Sequence, residues 1–124
     1  MRHLDPAFAL GALRRGKQIE QFLGAITNDH GSGLRWVCLC PGPAGVSIYL
    51  SEVEDVGTDI LLDITEFPPL DPDDEAWGRV IAVLPTPEEA LRTAERELAA
   101  DPGRWVNESI VCDEYHDYRA VHRR

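Results

Sequence analysis

Two neighbouring stretches with alternating side chains constrain the fold of this chain more than any other feature. Leu34–Cys40 and Val46–Val53 each place apolar residues at every second position, which is the period of a β-strand. The segment Pro41–Gly45 between them is rich in proline and glycine, as turns are. The sequence therefore predicts a pair of antiparallel strands, with one face on a core and the other toward water.

The same kind of pattern predicts two further strands and two loops. Asp59–Phe67 alternates apolar and polar residues, and Val80–Leu84 is a short apolar run. Pro68–Trp77 holds three prolines and four acids, which indicates an exposed loop. Thr27–Gly33 consists mostly of small and polar residues and indicates another loop.

Two short helices are predicted before the first strand. Asp5 followed by Pro6 is typical of a helix start, because aspartate caps the free N–H groups and proline suits the first helical position. Gly16 is a suitable stop. The next segment, Lys17–Leu23, groups its apolar residues on one side at helical spacing and predicts a second helix.

Two helices are predicted after the last strand. Thr86 and Glu89 form a capping box at the start of the first one, and Asp101–Gly103 ends it. The second is expected over Glu108–Val121, since acids come early and bases late, in accord with the helix dipole. An alternative for part of this segment is a fifth strand at Trp105–Cys112.

These elements predict an α+β fold, in which a four-stranded antiparallel meander sheet has helices packed on one face, in the order helix-helix-β-β-β-β-helix-helix. A single domain over residues 1–124 is expected from the length of 124 residues and the 44% hydrophobic content. No apolar run reaches about 18 residues, so we expect no membrane span, and no signal peptide is recognised. Three cysteines are an odd number, which favours a reducing, cytoplasmic location over a disulfide framework.

The charge of the chain is concentrated in one window, Trp36–Gly78, which is called the acidic window below. It holds ten carboxylates and no Lys or Arg, whereas the whole chain has 22 acids and 12 bases. The formal charge of −10 therefore comes entirely from this third of the sequence. Such an excess steers basic partners toward a surface. The alternative is an ordinary solvated face of an acidic protein.

The predicted contact surface is an acidic sheet face with an adjoining loop. Asp59 and Asp63 would point outward from the third strand, and two aromatic residues would serve as anchors. The candidate partner-binding residues are Tyr49, Glu54, Asp55, Asp59, Asp63, Asp71, Asp73, Asp74, Glu75 and Trp77.

Other kinds of site are less well supported by the sequence. Cys38, Cys40, Cys112 and His116 contain the ligand types of a zinc site, but the sulfurs of a Cys-x-Cys pair on a strand would project roughly 6–7 Å apart. The acids from Asp71 onward lack the glycine and glutamate of a calcium-binding loop. No catalytic motif is recognised, no cofactor is expected, and one Lys with scattered Arg argues against direct nucleic-acid binding.

In composition, a small acidic α+β domain without a catalytic motif is similar to bacterial immunity proteins that neutralise nuclease toxins, and to DNA-mimicking inhibitors. That likeness implies a protein-binding inhibitor of a basic, nuclease-like partner, because a nuclease binds polyanions. The alternatives are a small metal- or ligand-binding domain that uses the Cys and His residues, or a small enzyme.

Overall fold

A five-stranded antiparallel sheet forms the centre of the fold. The computed structural model describes residues 2–122. The strands in this part of the chain are β1 (Ile19–Asn28), β2 (Gly31–Gly42), β3 (Gly45–Val53), β4 (Arg79–Leu84) and β5 (Val106–Asn107). The helices are α1 (Pro6–Arg14), α2 (Pro87–Leu98) and α3 (Val111–His122), and a 3₁₀ turn spans Ile64–Glu66. The strand order is β4-β3-β2-β1-β5. The α+β class is therefore confirmed, whereas the prediction of four strands is wrong.

β1 replaces the predicted second helix at Lys17–Leu23. Ile19 is fully buried, but the next two residues, Glu20 and Gln21, are also only 2% exposed. The Gln21 amide donates to the backbone oxygen of Asp101 at 3.0 Å and its carbonyl accepts from the Asp101 N–H at 2.7 Å. Two buried polar side chains with their own partners hide the alternation that marks a strand.

The loop predicted over Thr27–Gly33 is a tight turn between β1 and β2. The Asn28 side chain accepts from the backbone N–H of His30 at 2.8 Å. Gly31 has a φ of 121°, which a side chain rarely tolerates, and it begins β2 directly after the turn. The polar residues that suggested a long loop therefore belong largely to the ends of two paired strands.

The strand predicted over Asp59–Phe67 is absent from the described chain. Ile60, which was expected to point inward, is 96% exposed, while Ile64 and Phe67 are buried. Asp63 caps the 3₁₀ turn by accepting from the Thr65 N–H at 3.0 Å. Two buried apolar residues three positions apart match a turn of 3₁₀ helix, and Leu62 packs partly buried beside them, so the segment contacts the core through its second half. The predicted loop at 68–77 is confirmed.

The hairpin of β2 and β3 is confirmed, but the prediction that one of its faces meets water is wrong. Val37 and Leu39 are fully buried on one face of β2, and Leu34 and Trp36 are 1% and 8% exposed on the other. β2 therefore has a packing layer on each side, as central strands of larger sheets do.

One face of the sheet is covered by α1 and α2. Both begin as predicted: Asp5 accepts from the Ala7 N–H at 2.8 Å, and Thr86 accepts from the Glu89 N–H at 3.2 Å. Their small side chains let the helices approach the sheet closely. The buried residues of this layer include Ala9, Ala12, Leu13, Ala90, Ala94 and Leu98 from the helices and Ile19, Val37, Leu39, Val46, Ile48 and Leu50 from the strands. No helix within residues 2–122 is long and apolar enough to cross a membrane.

The opposite face is covered in part by α3 and by residues 54–78, so the helices do not all pack on one face as predicted. α3 begins at Val111 rather than at residue 108, because β5 pairs with β1 just before it. The alternative of a strand in this region is thus correct for two residues. Tyr115 is fully buried, with its ring centroid 5.3 Å from that of Phe67, and its hydroxyl donates to Asp55 at 2.6 Å.

A buried carboxylate lies on β3, next to β2 and β4. Glu52 is 6% exposed and accepts from Arg35 Nε at 2.9 Å and from Arg79 at 2.8 Å. Burial alone would raise the pKa of Glu52, but the hydrogen bonds and charges of the two arginines outweigh it and hold that pKa below its ordinary value. Both bases come from outside the acidic window.

Replacing Gly57 by alanine should destabilise the fold, because the added Cβ would lie 1.9 Å from the Tyr115 hydroxyl oxygen. We expect Gly57→Ala to lower the free energy of unfolding by about 1–3 kcal/mol. Gly42→Ala is the control, since its Cβ would meet nothing nearer than 3.9 Å. Urea unfolding of both variants measures the effect. Equal midpoints would contradict the close packing of the loop on Tyr115.

Replacing Glu52 by glutamine should remove a pH-dependent contribution to stability. Because the folded-state pKa is depressed, the ionised carboxylate stabilises the fold fully above the unfolded-state pKa of about 4.3, and this contribution is lost as the pH falls through the folded-state value. We expect Glu52→Gln to cost about 1–2 kcal/mol at pH 7 and progressively less below about pH 4. Urea unfolding from pH 7 to pH 3 gives this difference, with the exposed Glu97→Gln as control. A deficit that is constant with pH would refute the ion-pair account.

Candidate functional site

A groove of about 600 Å³ lies on the α3 side of the sheet. Its sheet-derived wall comes from β1, β2 and β3, and its rim comes from the 3₁₀ turn, the residues before β4 and the segment between β5 and α3. None of its described lining residues is Lys, Arg or His. The groove combines aromatic rings, carboxylates and thiols.

Three aromatic side chains line the groove. Trp36 on β2 is 8% exposed, and Trp77, which precedes β4, is 55% exposed. Tyr49 on β3 meets Trp77 edge to face, with ring centroids 5.3 Å apart. The structure thus brings together the two aromatic residues proposed as anchors from the sequence. It adds Trp36, whose buried indole N–H has no hydrogen-bond partner within residues 2–122.

Three carboxylates accompany the rings: Glu20, Glu66 and Glu108. Burial raises the pKa of Glu20, although its hydrogen bonds to Gln18 and to the Ser109 N–H oppose the shift. Ser109 has a φ of 77°, an unfavourable backbone conformation for serine, and its N–H donates to Glu20 at 2.9 Å. The buried carboxylate therefore holds the strained residue at the rim of the groove.

Two thiols lie at the sheet-side wall. The Sγ atoms of Cys38 and Cys40 are 3.0 Å apart, and Cys40 donates to the Gln18 side-chain oxygen at 3.3 Å. The sequence-based expectation of 6–7 Å is wrong, because the two side chains turn toward each other from the same face of β2. Their hydrogen bond, together with burial, raises the pKa of Cys38, and the same bond lowers the pKa of Cys40.

The four residues considered for a zinc site are not assembled. Cys112 instead donates to Asp63 at 3.2 Å, and burial followed by that carboxylate raises the Cys112 pKa to about 11. His116 is exposed on α3. Within residues 2–122, no group of three or more His, Cys, Asp or Glu side chains could hold a metal ion.

Four of the predicted contact carboxylates accept hydrogen bonds from side chains outside the acidic window. The pairs and the distances between their bonded atoms are Asp55–Tyr115 at 2.6 Å, Asp59–Arg119 at 2.7 Å, Asp63–Cys112 at 3.2 Å and Asp74–Arg79 at 3.0 Å. Two of the four partners, Arg79 and Arg119, are bases, so folding places some positive charge beside carboxylates of the window. The predicted acidic sheet face is not formed, because the strand that would carry Asp59 and Asp63 is absent from the described chain.

The other four predicted acids lie in two places. Glu54 lines a separate depression together with His30 and Tyr118. Asp71, Asp73 and Glu75 lie on the loop that leads to Trp77 and the groove. The Asp71 side chain accepts from the Asp73 N–H at 2.9 Å, while the side chains of Asp73 and Glu75 are exposed.

A second depression, of about 690 Å³, adjoins the groove and shares three lining residues with it, Gln18, Cys40 and Glu108. Its far side carries Arg15 and Lys17. The combined surface therefore has bases near the end of α1 and rings toward β4, while Glu20 lies on β1 and Glu108 lines both depressions. A bound cationic group would be directed to the aromatic end.

Sequence reasoning missed Glu20, Glu108 and Trp36 as members of one site, because they come from three separate segments that only the fold brings together. The signal that was available was the solitary acid in the apolar run Ile19–Leu23, since a carboxylate there must find a partner or a function. No family model, curated protein or solved structure matches the chain, so these contacts and charges are the basis for its functional assignment.

Proposed function

We propose that this protein is a small acidic protein-binding module whose groove accepts a basic side chain of its partner. The observation that carries the proposal is the lining of the groove, which combines three aromatic rings with three carboxylates and has no base among its described residues. An arginine or lysine side chain has the complementary chemistry, because it is cationic at its tip and carries an apolar stem.

The rings and the carboxylates would contribute in different ways. A cation over an aromatic face gains about 0.5–2 kcal/mol, more where water is excluded. Trp77 is exposed and already contacts Tyr49, so it can pack on a partner without a large rearrangement. When a partner binds, Trp77 would be buried beside a cation that is paired with a carboxylate. Contacts of this kind are typical of the few that dominate the binding energy of an interface.

The loop before Trp77 would steer the partner to the groove. Asp71, Asp73 and Glu75 lie on this loop, and two of them are exposed. Surface charges of this kind raise association rates and are screened by salt. The contacts proposed here are Tyr49, Trp77, Glu66 and these loop carboxylates, whereas Asp55 and Asp63 serve chiefly to hold the fold through their internal hydrogen bonds.

The specific form that we propose is an inhibitor or immunity-type protein directed against a basic, nuclease-like partner. A surface that binds polyanions is rich in Lys and Arg, and a rigid acidic module can occlude it by charge and shape. A second candidate is a binding site for a small organic cation, because about 600 Å³ lies within the usual range of small-molecule pockets.

Removing the aromatic anchor should weaken binding of a basic ligand. We expect Trp77→Ala to weaken binding of a defined arginine-rich peptide about tenfold, which corresponds to about 1.4 kcal/mol, and Glu66→Gln to weaken it less. Glu97→Gln is the matched control for Glu66→Gln. It makes the same change of charge, but on α2, which covers the opposite face of the sheet. Isothermal titration calorimetry at low and at high salt provides the affinities.

The result that contradicts the groove is equal affinity of the wild type and all three variants. A small organic cation, tetramethylammonium, is titrated in parallel, and binding of this cation without binding of the peptide would favour the second candidate. For the partner itself, tagged wild-type, Trp77→Ala and Glu97→Gln proteins are used as baits in lysate. A basic protein that the wild type and the control retain, and that Trp77→Ala loses, is the expected outcome.

A further inference from the structure

The two thiols of the groove have no role in the binding of a basic side chain. We propose that Cys38 and Cys40 form a two-thiolate site for a soft monovalent cation of the Cu(I) class. The inference uses the same groove as the proposed function but does not depend on the existence of a basic partner. It rests on the placement of the sulfurs and on the donors around them.

The backbone fixes the two cysteines while leaving their sulfur atoms adjustable. Both residues lie on β2, whose register pairs Cys38 with Glu20 on one side and with Tyr49 on the other. Rotation of the side chains can open the Sγ–Sγ separation from 3.0 Å toward the strand repeat of roughly 6.6 Å. An ion bridging two thiolates needs sulfurs at most about 4.6 Å apart, which is twice a metal–sulfur bond of about 2.3 Å. That distance lies within the accessible range, so no strand pairing has to break.

The surrounding donors select a soft ion of low coordination number. Thiolates favour Cu(I) and other soft ions over magnesium or calcium. A structural zinc site needs four strong ligands. The described residues offer only the thiol pair and, 3.3 Å from Cys40, the neutral side-chain oxygen of Gln18. Two-coordinate binding is therefore the geometry that the site can complete.

The carboxylates around the thiols attract a cation, and they also oppose the loss of the thiol protons. Glu20 lies directly opposite Cys38 across the strand pair, and Glu66 and Glu108 share the groove. Binding would exchange two S–H bonds for two metal–sulfur bonds and release two protons to solvent, with no change in the oxidation state of the ion. The site then carries one more negative charge than before, so the metal–sulfur bonds supply the affinity. Cys40 is half-buried and faces the groove, which gives the ion a path, while Cys38 is 5% exposed and is protected from other reactants.

The test is anaerobic titration of the fully reduced protein with Cu(I) in competition with a colorimetric Cu(I) chelator. We expect the wild type to retain one ion per chain, and Cys38→Ser and Cys40→Ser each to weaken retention at least about tenfold. Cys112→Ser is the matched control, because it removes the third thiol, which bonds to Asp63 outside the groove, and it should retain the ion like the wild type. Circular dichroism checks that each variant is folded.

A measurement on the wild type alone keeps the proposal testable if a serine variant fails to fold. Alkylation followed by peptide mapping should show Cu(I) protecting Cys40 at least about tenfold, with no change at Cys112. The proposal is overturned if the wild type retains no stoichiometric ion, if Cys38→Ser and Cys40→Ser bind as well as the wild type, or if protection falls on Cys112. Peptide binding and Cu(I) retention are measured separately for Trp77→Ala. Failure of the peptide-binding proposal can therefore be told apart from failure of the Cu(I) proposal.

Discussion

The burial of β2 on both faces is the constraint on which the rest of this structure depends. Val37 and Leu39 need α1 and α2 on one side, and Leu34 and Trp36 need α3 and residues 54–78 on the other. The first layer is built from two capped helices with small side chains, and its fit is close. The second layer is mostly irregular chain held at a few points, such as Ile64 and Tyr115. The groove lies where this second layer stops short of covering Cys38, Cys40 and Tyr49.

Local signals in the sequence were sufficient to predict the elements that depend mainly on residues close together in the chain. The β2–β3 hairpin, α1 and α2 were predictable, because alternation and capping residues act over a few positions. β1 was not, since Glu20 and Gln21 are buried by partners far away in sequence. Asp59–Phe67 was mistaken for a strand because it alternates as a strand does, although nothing in the described sheet pairs with it.

The candidate site was predictable only in part, for a related reason. Tyr49 and Trp77 stood out as aromatic residues in an acidic window, and they do meet. The acidic window was misleading as a measure of surface charge, because Arg79 forms an ion pair with Asp74 and Arg119 forms one with Asp59. A count of charges along the sequence shows where bases are absent. It does not show which distant bases the fold places beside the carboxylates. Cys38 and Cys40 were noted in the sequence, but the contact of their sulfurs and the position of Glu20 beside them emerged only from the fold.

The two buried carboxylates of the sheet, Glu20 and Glu52, give the fold opposing responses to acid. Glu52 has a depressed pKa and strengthens the fold as it ionises, whereas Glu20 has a raised pKa, so its ionisation weakens the fold as the pH rises through that value. Acidification therefore removes a stabilising charge at Glu52 and relieves an unfavourable one at Glu20. Glu20 also accepts from the backbone N–H of Ser109 at 2.9 Å, so the carboxylate whose ionisation weakens the fold is the one that holds the rim of the groove.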